Sequence, residues 1–191
     1  MRLVRDGFRF AESRFSALVR SRANYWSTFG IDACATIALL AWGILHYLEP
    51  GPYAWSALAA LLVGWSVWTL FEYLVHRFVF HGAFSPASRA HLEHHRAPRD
   101  LVGLPFFVPI GVAVAWWLVL TRFLPSGPAC LVVAGSYAGY VGYGAVHHAT
   151  HATPLRAWPL ERRQRMHMIH HARAARNFGV TTGFWEIGRA H

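Results

Sequence analysis

Apolar residues come in four long runs divided by short polar or turn-forming links. The runs extend from about Phe29 to Leu48, Tyr53 to Phe80, Val102 to Leu124 and Ala129 to His151. Each is about 20 residues or longer, the length that crosses a bilayer as a helix. The links Glu49–Pro52 (Glu-Pro-Gly-Pro) and Pro125–Pro128 (Pro-Ser-Gly-Pro) are strong turn signals, so the runs pair as two tight helical hairpins. The second run is too long for a bilayer alone, and its last turns are predicted to project into water. The pattern predicts an all-α integral membrane protein with four transmembrane helices in two hairpins. It forms a single domain over 1–191: an N-terminal interfacial arm (1–28), the spans with a cytosolic loop at 81–101 (29–151), and a cytosolic C-terminal segment (152–191).

Composition agrees, with 54% hydrophobic and only 14% charged residues, against about 25% charged in soluble domains. All eighteen basic residues are Arg, and the formal net charge is +9. Seventeen of them lie in the N-terminal arm, between Arg77 and Arg99, or in the tail from Arg156 onward; Arg122 alone falls on the other side. Basic residues collect beside spans on the cytoplasmic face, so both termini and the central loop are predicted there. This accounts for the charge without a nucleic-acid partner. All-Arg usage points to a GC-rich bacterial gene, and hence to a bacterial inner membrane. No cleavable apolar leader is seen among the first 24 residues. That stretch mixes Arg with Phe8, Phe10, Phe15, Leu18 and Val19, which suits a helix at the interface; a solvated basic arm is the other reading. Cys34 and Cys130 both sit in apolar runs and imply no disulfide framework.

Histidine changes the picture. Ten of the thirteen histidines form spaced groups: His76 and His81; His91, His94 and His95; His147 and His151; His167, His170 and His171. Every group falls at the cytoplasmic end of a span or in a cytoplasmic segment. Positions i, i+3 and i+4 share a helix face, so each triplet offers its imidazoles in one direction. His76 and His81 diverge by about 140° on an ideal helix, so either the helix distorts or the two serve different ions. One HxxHH alone could be a surface accident; four convergent groups are a metal site. Ten imidazoles exceed the four to six or so ligands of one ion, which predicts two neighbouring metals. Nitrogen ligation suits Fe, Zn, Cu or Ni, and disfavours Mg and Ca. His148 points about 100° away from His147 and is expected behind the ligands, where Glu72 and Asp100 are the candidate acids. Few acids argue against hydrolysis, and an apolar midplane argues against transport. A redox site acting on an acyl chain is the best fit. Arg77, Arg96, Arg99 and Arg173 could steer an anionic headgroup or simply anchor the cytoplasmic face. Trp65, Trp68 and Trp116 could line an acyl channel or face lipid.

The strings EYLVHRFVFH (72–81), HLEHHRAPRD with LVGLP (91–105), HHATH (147–151) and HMIHHARAARNFGVTTGFWE (167–186) resemble the fatty acid hydroxylase superfamily. This is the group of membrane di-metal enzymes that contains sterol desaturases and fatty acid 2-hydroxylases, and the strings look most like the 2-hydroxylase branch. The resemblance implies a four-helix membrane scaffold under a cytosolic metal-binding cap, with the ten histidines as ligands and Asn177 either hydrogen-bonding behind them or shaping a turn. It implies O2-dependent, di-iron hydroxylation of a fatty acyl chain of a membrane lipid or fatty acid, with the 2-position indicated by the branch. Iron is expected for activity, and zinc in isolated protein. With no fused haem domain ahead of the spans, a separate redox donor protein is implied. Gly144, three before His147, stands where relatives of this type often carry an acid. The alternatives are a desaturase or sterol or carotenoid oxidase on the same scaffold, and a non-enzymatic membrane metal-binding or transport protein.

Overall fold

The computed structural model describes residues 14, 16–47, 54–82 and 85–186, which are helical or irregular and contain no strand. Half of the expected N-terminal arm, the Glu49–Pro52 link and the last five residues lie outside this set. The helices are α1 (Arg22–Tyr47), α2 (Ala54–Leu74, running directly into a π-helical turn at Val75–Phe80), α3 (Pro86–Arg96), α4 (Phe107–Leu120), α5 (Ser126–Ala152) and α6 (Leu160–Ala172).

Three of the four apolar runs appear as helices long and apolar enough to cross a membrane: Arg22–His46, Trp55–Phe80 and Ser126–Ala152. The expected third span differs. Only Phe107–Leu120 is helical, and its 14 residues reach about 21 Å against an apolar layer of about 30 Å. The preceding Val102–Pro105 is irregular instead, held by hydrogen bonds at the start of α1. Asn24 donates to the Leu104 carbonyl (3.0 Å) and accepts from the Phe106 amide (3.2 Å), and the Gly103 amide donates to the Val19 carbonyl (3.0 Å). α1 also begins at Arg22, seven residues before the apolar run suggests.

The first expected hairpin is not a packed pair. α1 and α2 each pack far more extensively on α5 than on one another. α5 is central because it is built of small residues: Ala129, Cys130, Ala134 and Gly135 are buried, while α1, α2 and α4 turn Ile37, Leu62 and Leu118 outward. Apolar side chains gain nothing from exchanging lipid for one another, so close backbone approach decides which helices meet. A Cβ on Gly64 would lie 2.0 Å from the Val132 carbonyl oxygen, and one on Gly135 would lie 2.2 Å from that of Leu61. Ser136 seals this contact by donating to the Gly64 carbonyl (2.9 Å). Between α1 and α5, Tyr137 donates to the buried carboxylate of Asp32 (2.6 Å).

Candidate metal centre

Each element carrying histidines is set by a local device. At α3, Ser85 and Ser88 form a reciprocal cap (3.1 and 2.7 Å) ahead of Pro86, fixing the register of the HLEHH triplet. At α6, Gln164 donates to the carbonyls of Thr150 and Thr153 (both 2.8 Å) and accepts from the Leu155 amide (2.9 Å). One side chain thus satisfies the open C-terminal carbonyls of α5 and locks α6 beside it. At α2, the π-helical turn has the His81 amide bonded to the His76 carbonyl (3.1 Å), an i→i+5 bond. The added residue per turn cancels the divergence of an ideal helix and brings both imidazoles to one point. Such turns concentrate at functional sites.

The ten histidines come together as two groups of five, each with one nitrogen per residue and all nitrogens of a group within 4.8 Å of one another. The first group is His76, His81, His91, His95 and His170; the second is His94, His147, His151, His167 and His171. Each long helix gives both its histidines to one group, α2 to the first and α5 to the second. The triplets do not act as units, contrary to the expectation from spacing. α3 sends His91 and His95 to the first group and His94 to the second, and α6 sends His170 to the first and His167 and His171 to the second. The groups adjoin where the His95 and His171 rings stack at 4.2 Å.

Nitrogen separations test the fit to a metal. In the first group, Nε2 atoms lie 3.0 Å apart in His76/His91, 2.9 Å in His81/His91, 3.0 Å in His81/His170 and 3.0 Å in His91/His95. In the second, His151/His167 are 2.9 Å apart and His167/His171 are 3.2 Å apart. One Nε2 cannot serve several such contacts as a hydrogen-bond donor. With metal–nitrogen bonds of about 2.1 Å, ligands at right angles stand about 3.0 Å apart and tetrahedral ones about 3.4 Å. The donor sets therefore fit one metal ion each, at more than four coordinates. Nε2 of His94 and of His147 is buried with no hydrogen-bond partner among the described residues, as expected of ligand atoms.

Electrostatics favour the neutral, ligating imidazole. Burial is the largest cause in every case, with adjacent imidazoles adding to it. His81 and His170 are pushed down to about 4, His94 to about 3 and His171 to about 2. His91 and His167 fall well below the ordinary imidazole range, and burial lowers His95.

The groups differ in their surroundings. In the first, His76 Nδ1 donates to the Phe178 carbonyl and His170 Nδ1 to the Arg176 carbonyl (2.6 Å), which directs Nε2 inward. The Phe178 ring packs on His76, His81 and His170, and Phe80 stacks on His91 at 5.0 Å, roofing the group against water. The second group opens on a cavity of about 300 Å³ lined by its own His94, His147 and His151.

Of the four residues expected behind the ligands, none bonds an imidazole of either group. Glu72 is buried and accepts from the amides of Val180 (2.6 Å) and Thr181 (3.0 Å) and from the Thr181 hydroxyl, clamping the C-terminal loop to α2. Asn177 has a positive φ of 56° and donates to the Met166 carbonyl (3.3 Å). It acts through the backbone, since the carbonyls on either side of it are the two that hold His170 and His76. His148 shares a hydrogen bond with the Tyr25 hydroxyl (3.0 Å), and both line the cavity with exposed Asp100 and Arg99. A Cβ on Gly144 would already lie 3.1 Å from the Phe29 ring, which leaves little room for an acidic side chain. Arg77 lies over the Phe178 ring at 5.8 Å rather than in the cavity. Sequence reasoning missed Gln164, Phe178 and Asp32. A carboxylate inside an apolar run was the available signal for Asp32; the other two carried none.

An all-α membrane protein with paired five-histidine clusters at one end is the class defined by fold and site. The chain belongs to the fatty acid hydroxylase family, whose model matches residues 61–188. It is 35% identical over 139 residues to a fatty acid 2-hydroxylase of Rattus norvegicus, covering 65% of this chain and 37% of the rat protein. It is 29% identical over 196 residues to a dihydroceramide fatty acyl 2-hydroxylase of Arabidopsis thaliana, covering 96% of this chain and 79% of the relative. The chain thus spans well under half the length of the mammalian relatives it matches. It is similar to a solved structure of full-length Scs7p in which only the hydroxylase domain is visible, with a TM-score of 0.73, 25% identity, and 88% of this chain and 66% of that one covered.

Proposed function

We propose that the protein is an O2-dependent lipid hydroxylase that places a hydroxyl on a fatty acyl chain at the 2-position. The observation carrying this reading is the pair of adjacent five-nitrogen clusters, one roofed and one opening on a cavity beside the membrane-spanning helices. The names of the relatives support an acyl substrate and the 2-position. The ten histidines are the ligand set for two metal ions, iron in the active protein. Iron bound there would supply the O2 chemistry that replaces C–H by C–OH.

The chain's residues do the rest. His76 and His170 are oriented by backbone carbonyls, Phe80 and Phe178 keep water from the first cluster, and the wall of Leu101, Val102 and Tyr25 receives the acyl segment next to the second. Electrons come from a separate donor protein. α4 completes the membrane domain as a short fourth span, and the seventeen-to-one Arg distribution orients both termini and the histidine face to the cytoplasm of a bacterial inner membrane.

The test is lipid mass spectrometry of cells with and without the protein, combined with metal analysis of the purified chain. Gain of one oxygen on an acyl chain, with two metal ions per chain, is expected; loss of two hydrogens would assign a desaturase. His94→Ala and His170→Ala, one from each cluster, are expected to abolish the product and lower metal content. Full metal content in both variants would refute the ligand assignment.

A further inference from the structure

A cavity of about 540 Å³ is lined by no histidine of either cluster. Its volume is within the range of about 300–1,000 Å³ of ordinary small-molecule sites. Its floor is apolar and belongs to the spanning helices, with Trp65 and Trp68 from α2 and Gly142 and Val146 from α5. At Gly142 an added Cβ would meet nothing within 4 Å, so this part of α5 faces open space rather than a neighbouring helix.

The rim has the opposite character. Arg162 and Arg163 reach it from α6, beside Thr181 and Thr182. Among the described residues neither guanidinium forms a direct ion pair. Glu72 and Glu186 are the acids whose charge bears on Arg163. Glu72 is already occupied by Val180 and Thr181, and Glu186 accepts from the Gly179 amide (2.9 Å). Phe184 on the rim is 76% exposed, and Trp158, next to the rim residue Pro159, is 81% exposed. Exposed aromatics of this kind sit at the headgroup level of a bilayer, which places the mouth where apolar chains meet charged heads. An apolar floor at membrane depth under guanidinium groups that form no direct ion pair is complementary to an acyl chain bearing an anionic head, and guanidinium pairs a phosphate through two parallel bonds.

We propose that this cavity is a second lipid site, holding one acyl chain of an anionic phospholipid with its phosphate at Arg162 and Arg163. It is separate from the cavity that opens on the second histidine cluster. The bound lipid bridges α2 and α5 to α6, the helix that supplies His167, His170 and His171, and so ties the cap to the bilayer surface. The proposal rests on the membrane character of the helices and not on the hydroxylase reading.

Native mass spectrometry of the full chain in detergent, titrated with phosphatidylglycerol or phosphatidylcholine of matched chains, tests it. One phosphatidylglycerol is expected to be retained about tenfold more tightly than phosphatidylcholine, roughly 1.4 kcal/mol, because the choline cation competes with the two guanidinium groups for the phosphate that both lipids carry. Arg162→Ala should remove that preference, and Gly142→Phe should lower retention of both lipids by filling the floor. Arg122→Ala, exposed after α4 and lining neither cavity, should change neither. Metal content and melting midpoint, unchanged in each variant, verify folding. Equal retention of the two lipids, or undiminished retention by Gly142→Phe, would overturn the site. So would release of the retained lipid as a hydroxylated product, which would make this cavity the substrate channel.

Discussion

Asn177 shows how one residue outside the ligand set can govern it. Its φ of 56° lies in the left-handed region, where Asn and Gly are tolerated and branched side chains are not. That conformation aims the Arg176 and Phe178 carbonyls at two different histidines of the first cluster. Asn177→Val is expected to cost about 1–3 kcal/mol through backbone strain and to weaken the first metal, whereas Asn177→Gly keeps both. Thermal melting with metal analysis distinguishes the two variants. At this scale the clustered histidines were legible, because imidazoles at helical spacing in an apolar chain have few other uses. The role of Glu72 was not, because it acts on backbone groups more than 100 positions away in sequence, whereas a turn at Asn177 was one of the two readings the sequence offered.

Helices decide which histidines share a metal. The π-helical turn at Val75–Phe80 turns a divergent pair into a convergent one. Deleting Phe78, which is 58% exposed, would restore an α-helical path and leave the two histidines four apart, about 40° from each other on one face. The expected result is a folded chain that keeps metal in both clusters, read by metal stoichiometry; loss of the first metal alone would show that the extra residue of the π turn is itself required. Packing of α2 on α5 depends in the same way on two glycines. Gly64→Ala or Gly135→Ala would drive a methyl into a backbone carbonyl and is expected to destabilise the protein by at least 1–3 kcal/mol or so, as overpacking does. Gly111→Ala, which meets nothing, is expected to be neutral or to raise the melting midpoint slightly. Apolar runs marked these helices but not their neighbours, since a lipid-facing and a helix-facing surface are equally apolar. The difference lies in small residues such as Gly64 and Gly135, whose meaning depends on what lies opposite.

For the whole molecule, the clusters couple metal binding, folding and pH. The cap histidines have folded-state pKa values pushed below the ordinary imidazole value of about 6.5, to about 4 for His81 and His170 and about 3 for His94. As pH falls below about 6.5 the unfolded chain takes up protons that the folded chain refuses, so stability is lost. Metal-free protein is expected to hold a constant melting midpoint above about pH 7 and to lose it steadily from pH 6.5 toward 4. Metal release should follow the same window, because protons compete for the ligand nitrogens. A flat midpoint across that range would show that the imidazoles are not buried as a group. What the sequence by itself determined is the inventory: a membrane chain, ten clustered imidazoles in numbers that suit two metals, and a one-sided Arg distribution. These depend on composition and periodicity, which are local. Only the tertiary structure decided the partition into five and five, the placement of α5 between α1 and α2, the shortened α4, and which cluster opens to a cavity. Those outcomes turn on where a π-turn, a capped short helix and a Gln164 clamp bring side chains from distant segments, and no local pattern encodes that distance.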